Sequence, residues 1–169
     1  MPILRRLRGR RSARVLLVDG GGRVLLFRSL REAGRPAAGY CWFTPGGGVR
    51  RWERTARAAA RELAEETGLS VPHTALTGPV ARTSGYADLG WKRGWFSDVF
   101  YVCRVARHDV DTTGFEDHER ASIVDHRWWT AAELATAEED VFPYSLAGLL
   151  TDILADRLPD EPVRLPWHH

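Results

Sequence analysis

The stretch at residues 47–69, GGVRRWERTARAAARELAEETGL, decides the fold that this sequence predicts. It starts within a run of three glycines, and residues 54–67 then contain neither Gly nor Pro and are rich in alanine. Such a composition favours a helix, and Gly68 stands where a left-handed C-cap is expected. The stretch therefore predicts a glycine-rich turn that leads into one amphipathic helix.

Three glutamates share one face of this helix, because Glu62, Glu65 and Glu66 stand at positions i, i+3 and i+4. Like charges at this spacing repel by a few tenths of a kcal/mol per pair, so we expect a cation to compensate them. Clustered carboxylates suit hard divalent ions such as Mg²⁺ and Mn²⁺, which also bridge to substrate phosphates. The alternative interpretation is a solvated acidic face, which is common on surface helices.

The segments on either side of the helix predict strands. Apolar, β-branched or aromatic runs cover residues 13–19, 24–28, 40–43, 80–84, 97–105 and 123–129. Two further helices are expected at residues 131–137, with Thr130 as N-cap, and at 145–157. The regions between strands, including a tryptophan-rich segment with Trp91 and Trp95 and the acidic residues 107–120, are expected to be loops. The pattern predicts an α+β fold or a three-layer α/β/α sandwich.

Length and composition fit a single globular domain. The chain has 169 residues, 44% of them hydrophobic and 27% charged, which is enough to bury a core without disulfides. No apolar run approaches the roughly 20 residues that span a bilayer, and no secretion signal is recognisable. Cys41 and Cys103 do not make a disulfide framework. We therefore expect no membrane partner and a cytoplasmic location.

The helix and its glycine turn match a known motif. Read as G-x5-E-x7-R-E-U-x-E-E-x-G-U, where U is bulky and aliphatic, the motif is met at every defined position by Gly47, Glu53, Arg61-Glu62-Leu63, Glu65-Glu66 and Gly68-Leu69. A chance match is expected on the order of 10⁻⁷ or less. The stretch resembles the Nudix box. The resemblance implies the Nudix fold, a mixed central sheet with the box helix and a C-terminal helix packed on it. The hydrolase domain would cover residues 13–157, between a basic arm at 1–12 and a tail at 158–169.

The resemblance also implies an activity. Nudix hydrolases use Mg²⁺, for which Mn²⁺ can substitute, to cleave a nucleoside diphosphate linked to another moiety, with water attacking phosphorus. The small-molecule substrate would be a nucleotide sugar, an ADP-ribose-like compound or a (d)NTP. Independently, a diphosphate is protected by its own charge, which bound metals neutralise. The sequence therefore predicts a pyrophosphohydrolase.

The same likeness assigns roles within the motif. The implied metal ligands are Glu62, Glu65, Glu66 and the carbonyl of Gly46. Glu53 and Arg61 would form an ion pair that holds the glycine loop on the helix. For the general base, Glu62 is the first candidate and Glu119 the second, with a simple solvated loop at residues 116–119 as the alternative for Glu119.

Residues outside the motif are candidates for substrate binding. Trp42, Trp91 and Trp95 could stack on a base and Arg82 could hold a phosphate, although tryptophans near sheets more often belong to the core. Trp52 departs from the small residue, often glycine, that precedes the first box glutamate in this family, and it is a candidate for lining the site entrance.

Other functions remain open at this stage. The net charge of +2 hides six arginines and no acid within the first fourteen residues, and such an arm can contact nucleic acid. The arm lacks interleaved aromatic residues, so we expect no nucleic acid partner, while an RNA 5′-end pyrophosphohydrolase stays a lesser alternative. A nucleotide-sensing module without turnover is the main alternative, and an isoprenoid diphosphate isomerase with Cys41 is a weaker one. A homodimer is possible.

Overall fold

The computed structural model describes residues 9–88 and 93–168. Its strands are β1 (Arg10–Val18), β2 (Val24–Leu30), β3 (Tyr40–Phe43), β4 (Gly46–Gly48), β5 (Thr77–Asp88), β6 (Arg93–Arg104), β7 (Ile123–Trp129), β8 (Asp140–Phe142) and β9 (Val163–Arg164). Its α-helices are α1 (Thr55–Thr67), α2 (Asp117–Ser122), α3 (Ala131–Ala135) and α4 (Leu146–Leu154), with short 3-10 turns at Pro36–Ala38 and His73–Ala75.

The strands form one mixed sheet in the order β8-β3-β2-β1-β6-β5-β9. The two long strands β1 and β6 run parallel, from Arg10 opposite Phe96 to Val18 opposite Arg104. Along its other edge, β1 pairs antiparallel with the three glycines of β4 and, near its end, with β2. Strand β7 also pairs with β2. This arrangement places the glycine strand beside the centre of the sheet.

Two hydrophobic cores lie on the two faces of the sheet. Alternate residues of β1 point to opposite faces, so Val15 and Leu17 join the core under α1 whereas Leu16 and Val18 join the core under α3 and α4. Helix α1 contributes buried Ala58, Ala59 and Leu63 to its core. Helix layers therefore cover both faces, and the predicted α/β/α sandwich is confirmed.

Three elements lie within two residues of the bounds that the sequence predicts, at residues 54–67, 123–129 and 131–137. The Thr130 side chain accepts a hydrogen bond from the Glu133 amide, as expected of an N-cap. The Gly68 backbone has φ +72, the left-handed conformation expected of the C-cap.

Several boundaries differ from the prediction. Strands β5 and β6 extend well beyond their apolar segments because antiparallel pairing continues out to Asp88 opposite Arg93, so the loop predicted at Trp95 is wrong. The residues that were expected to form an acidic loop form helix α2. Glu116 and Glu119 form a capping box at its N-terminus. Strand β1 begins at Arg10 rather than Ala13. Trp91 lies outside the described residues.

The segment after residue 157 packs on the sheet. Strand β9 pairs parallel with β5, the Leu165 amide donates to the Arg82 carbonyl, and the Leu165 side chain is buried. Trp167 donates from its indole to the Tyr86 carbonyl at 3.0 Å and stacks near Phe96. Among the described residues, no helix has both the length and the apolar character needed to cross a membrane.

Candidate active site

The glycine strand approaches other backbone so closely that side chains cannot replace it. A Cβ on Gly46, whose φ is +134, would lie 2.3 Å from the carbonyl oxygen of Ala13 on β1. A Cβ on Gly47 would lie 2.7 Å from the carboxyl carbon of Glu62. Both distances are far below van der Waals contact, so these glycines allow β4 to lie between β1 and the acidic face of α1.

Three carboxylates converge beside this strand. Glu62, Glu66 and Glu119 each place an oxygen within 4.8 Å of the others. Glu62 and Glu66 are both buried and Glu119 is partly exposed. The Gly46 amide donates a 2.6 Å hydrogen bond to the Glu66 carboxylate and fixes its position. An all-oxygen, acidic set of this kind can hold a hard divalent cation.

Burial shifts the pKa of the two inner carboxyls. Loss of hydration raises the pKa of Glu66 well above its usual value, against the opposing effect of the Gly46 amide hydrogen bond and the charge of Arg14. Burial likewise raises the pKa of Glu62, and the Arg61 guanidinium opposes that rise. A nearby positive charge would therefore favour the ionised form of both carboxyls.

Arg61 ties the loop before the helix to the helix itself. Its Nε and Nη2 donate to the two carboxylate oxygens of Glu53 at 2.9 and 3.0 Å, and Nη2 also donates to the Gly48 carbonyl at 3.0 Å. Nη1 donates to Glu62 at 2.6 Å. The Glu53 carboxylate in turn accepts from the Arg50 amide, and the Arg61 hydrogen bond lowers its pKa. The ion pair expected from the motif is thus present in the structure.

Glu65 occupies a different position from its two neighbours. It accepts a hydrogen bond from Arg61 Nη1 at 3.2 Å, and it lies 3.6 Å from a guanidinium nitrogen of Arg50. It is not among the three carboxylates of the acidic cluster. A helix presents positions i, i+3 and i+4 along a wide face, and here the Glu65 carboxylate pairs with Arg61 of the helix and Arg50 of the preceding loop.

Glu119 reaches the cluster from outside the motif. Helix α2 carries it, and its Oε2 accepts the Glu116 amide at 2.7 Å as part of the capping box. The hydrogen bond fixes this side chain beside Glu62 and Glu66. An acidic residue in this region was expected from the sequence, whereas its helical setting was not.

Sequence reasoning missed Arg14 and Arg10. Arg14 Nη1 donates to the Gly46 carbonyl at 2.8 Å, the same carbonyl that the motif assigns to the metal. Both arginines line an acidic cleft of about 230 Å³ together with Glu62, Glu66 and Glu119. Arg14 could have been noticed as a charge inside an otherwise apolar strand, because the strand prediction began at Ala13. Arg10 was assigned to the arm.

The structure separates the predicted substrate-binding residues. Trp42 is only 7% exposed, packs edge-on against Trp129 and donates from its indole to Glu139 at 2.8 Å, so it belongs to the core under α3 and α4. Arg82 is exposed on β5 and does not line the acidic cleft. Trp95 and Trp52, which are 55% and 86% exposed, both line a larger neighbouring cavity.

Comparison with known proteins places this geometry in a family. The family model described as NUDIX domain matches residues 8–147. A search of curated proteins finds no match. Solved structures with a similar fold include a MutT NUDIX hydrolase from Burkholderia pseudomallei, at 21% identity and a TM-score of 0.61, covering 86% of this chain and 98% of that one.

Two other solved structures extend this likeness. The E. coli dihydroneopterin triphosphate pyrophosphohydrolase has 15% identity and a TM-score of 0.61, over 86% of this chain and 95% of that one. A C. elegans Ap4A hydrolase has 17% identity and a TM-score of 0.54, over 87% and 96%. These likenesses show the fold, and the domain match covers most of the chain. The chain therefore belongs to the NUDIX family and is a Nudix hydrolase, an enzyme of the pyrophosphohydrolase class.

Proposed function

We propose that this enzyme is a Mg²⁺-dependent pyrophosphohydrolase, with Mn²⁺ as a substitute, that cleaves the diphosphate linkage of a nucleoside diphosphate derivative. Candidate substrates are nucleotide sugars, ADP-ribose-like compounds and (d)NTPs. The observation that supports this proposal is the convergence of Glu62, Glu66 and Glu119 within 4.8 Å beside the glycine strand. Two buried acids at such a distance suit a site that binds cations.

Different residues of the site would have different roles. Glu62 and Glu66 would hold the divalent ion, Glu119 would complete their cluster, and Glu65 would join them by the likeness to the family. When bound, such an ion would neutralise charge on the diphosphate and lower the pKa of water. Arg61 and Glu53 fix the loop, so that the glycine backbone and the acidic face keep one geometry. Gly46 presents its amide to Glu66 and its carbonyl to Arg14.

Arg14 and Arg10 add positive charge to the acidic cleft that these carboxylates line. A phosphate group that enters such a cleft gains from guanidinium contacts, which bind phosphate oxygens with two hydrogen bonds. We infer that both arginines hold the diphosphate of the substrate. Arg10 is half-buried. Burial lowers the pKa of Arg10, and the charge of the neighbouring Arg14 lowers it further. An anionic ligand would therefore relieve the repulsion between the two arginines.

The general base that we propose is Glu62, with Glu119 second. Glu62 is buried beside Gly47, and Arg61 fixes one of its oxygens. Glu119 is less buried and has one oxygen committed to the Glu116 amide. A base must lie within hydrogen-bond reach of the proton that it removes, and both carboxylates line the cleft.

A substrate panel tests this function. The wild type is assayed with nucleotide sugars, ADP-ribose and nucleoside triphosphates in Mg²⁺ and in Mn²⁺, beside the double variant Glu62→Gln/Glu66→Gln and the control Glu161→Gln, which changes an exposed acid of the tail. We expect metal-dependent release of phosphate or nucleotide, a loss of about 100-fold or more in the double variant, and full activity in the control. Tight binding that persists in EDTA without turnover would instead indicate a nucleotide sensor.

We also propose a cytoplasmic location and a small-molecule partner. Cys41 and Cys103 are free thiols, which fits a reducing compartment. A homodimer remains part of this proposal, and light scattering of the purified chain tests it directly.

A further inference from the structure

A second cavity adjoins the acidic cleft and has a different character. It measures about 960 Å³, and Arg10 and Gly48 line both cavities, so the two lie side by side. We call it the basic groove, and its walls include Arg11, Arg50, Arg51, Trp52, Trp95 and Ser97. Nothing in the proposed chemistry at the glutamates requires a groove of this size or charge.

Strand register explains how the groove forms. Arg11 on β1 stands opposite Ser97 on β6, and Ser97 stands opposite Ser84 on β5. Residues that face each other across neighbouring strands share one face of a sheet, as do residues two apart along a strand. Trp95, and Tyr86 opposite it, therefore lie on the same face. This is the face on which α1 packs, beyond the point where Thr55 contacts Tyr101.

The charge of the groove is strongly positive. Arg11, Arg50 and Arg51 are all exposed, and Arg50 has only a 3.6 Å ion contact with Glu65. Among the residues that the structure describes, Glu53 is the one acid that lines the groove, and Arg61 already binds its carboxylate. Arg10 also lines the groove, so four arginines of the described residues surround it. The groove is therefore complementary to several phosphates rather than to one.

Aromatic rings stand exposed beside these charges. Trp52 is 86% exposed, Trp95 55% and Tyr86 52%. Trp52 has a backbone φ of +66, a conformation that few non-glycine residues adopt, and the Arg51 guanidinium lies 5.2 Å from its ring centroid. Large rings left exposed in this way lose the benefit of burial, which indicates a surface that a ligand covers.

We infer that the basic groove binds single-stranded nucleic acid, with phosphates on the arginines and bases stacked on Trp52 and Trp95. A positively charged groove that follows a backbone, with aromatic rings for successive bases, is how proteins hold single strands. The rings come from separate segments on an open face, which suits a strand better than one enclosed nucleotide. The strand would enter the acidic cleft by its 5′ end, and only that cleavage step rests on the proposed function.

Binding is tested first, without catalysis. A 3′-fluorescein single-stranded RNA of about ten nucleotides, with a 5′ triphosphate, is titrated with the full chain in EDTA, and its anisotropy is followed at several salt concentrations. The variants are Arg11→Glu/Arg51→Glu, Trp52→Gly and Trp95→Ala. Trp52→Gly removes the ring and keeps a residue that accepts positive φ. The control Arg107→Glu/Arg157→Glu reverses two exposed arginines that lie outside the groove.

We expect the Arg11/Arg51 variant to weaken binding by at least tenfold and to reduce the salt slope by about two. Each tryptophan variant should weaken binding by about tenfold. The charge-reversed control should differ much less from the wild type. All variants should keep wild-type melting temperatures, and the Arg11/Arg51 variant and the charge-reversed control should keep wild-type hydrolysis of whichever small nucleotide the panel identifies.

Three results would overturn the inference. The first is that the wild type does not bind RNA, and the second is that the control variant loses as much RNA affinity as the groove variants. The third is that a dinucleoside polyphosphate binds as tightly as the RNA and is equally sensitive to the groove variants. The last result would assign the groove to a second nucleoside of a small substrate. If RNA binds through the groove but no substrate is hydrolysed, the proposed function fails and the groove assignment stands.

Discussion

The Gly46 amide and the Glu66 carboxylate are joined by a 2.6 Å hydrogen bond that spans twenty positions of the chain. The bond connects the middle of the sheet to the last turn of α1, and it is buried. Because a buried hydrogen bond of this kind holds its acceptor in one orientation, the glycine strand positions the acidic cluster as well as leaving space for it.

The first prediction concerns Gly47. A Cβ at this position would lie 2.7 Å from the Glu62 carboxyl, so Gly47→Ala should displace that carboxylate and lower kcat by about 100-fold. The matched control is Gly148→Ala in α4, where an added Cβ meets nothing within 4 Å. The control should keep full activity and gain about 0.5–1 kcal/mol in the free energy of unfolding. Equal activities of the two variants would contradict the packing argument.

The second prediction concerns the Arg61–Glu53 ion pair. Both side chains are mostly buried, with 18% and 15% exposed, and two hydrogen bonds join them. Glu53→Gln should lower the free energy of unfolding by about 2 kcal/mol, because Arg61 would lose a charged partner. Urea denaturation measures this change. Asp109→Asn removes a fully exposed partner of Arg107 and should leave the unfolding midpoint unchanged.

The third prediction separates the two candidate bases. If Glu62 is the base, Glu119→Gln should lower kcat only modestly, whereas Glu62→Gln should lower it by about 100-fold or more. Gln at position 119 can still accept the Glu116 amide, so helix α2 is retained. Asp117→Asn, on the same helix and fully exposed, is the control. A larger loss in Glu119→Gln than in Glu62→Gln would reverse the assignment.

The fourth prediction links metal affinity to pH. Burial raises the pKa of Glu66 well above its usual value and also raises that of Glu62. Bound metal requires both carboxyls deprotonated, so binding should release protons and Mg²⁺ affinity should increase as pH rises through the raised pKa values. Calorimetry in buffers of different ionisation enthalpy measures the proton release. A Kd that is independent of pH from about 5 to 8 would contradict the expectation.

The fifth prediction concerns Glu139, on the other side of the sheet. The Arg28 hydrogen bond lowers the pKa of Glu139, and the Trp42 indole adds to this effect. The stabilisation is therefore present above the unfolded-state pKa, near 4.5, and is lost as pH falls through the lowered folded-state value. Glu139→Gln should destabilise the protein at neutral pH and progressively less at lower pH. The neighbouring exposed Glu138→Gln should show no such trend.

Local sequence patterns predicted much of the fold and the centre of the candidate site. Local composition and residue spacing predicted helix α1, its Gly68 C-cap and strand β7, because each depends on residues that are close together in the chain. The ion pair of Arg61 with Glu53 was implied by the resemblance to the Nudix box, and the two residues lie only eight positions apart. Such features depend on contacts between near neighbours, which a sequence pattern records.

Contacts between distant segments could not be predicted in the same way. Trp42 was a candidate for stacking, yet sheet pairing places it against Trp129 in the core. Arg14 enters the cleft only because β4 pairs with β1. Trp95 reaches the basic groove because β6 pairs with β1 on one side and β5 on the other. In each case the deciding information is which strand lies beside which.

The short strand β9 has a consequence for how the molecule behaves among copies of itself. An unpaired sheet edge offers its amides and carbonyls to any other extended chain. Here Val163–Arg164 occupies part of the β5 edge, and the Trp167 indole bonds to the carbonyl of Tyr86 farther along it. The protein thereby shields part of the edge of β5, which disfavours edge-to-edge aggregation at high concentration.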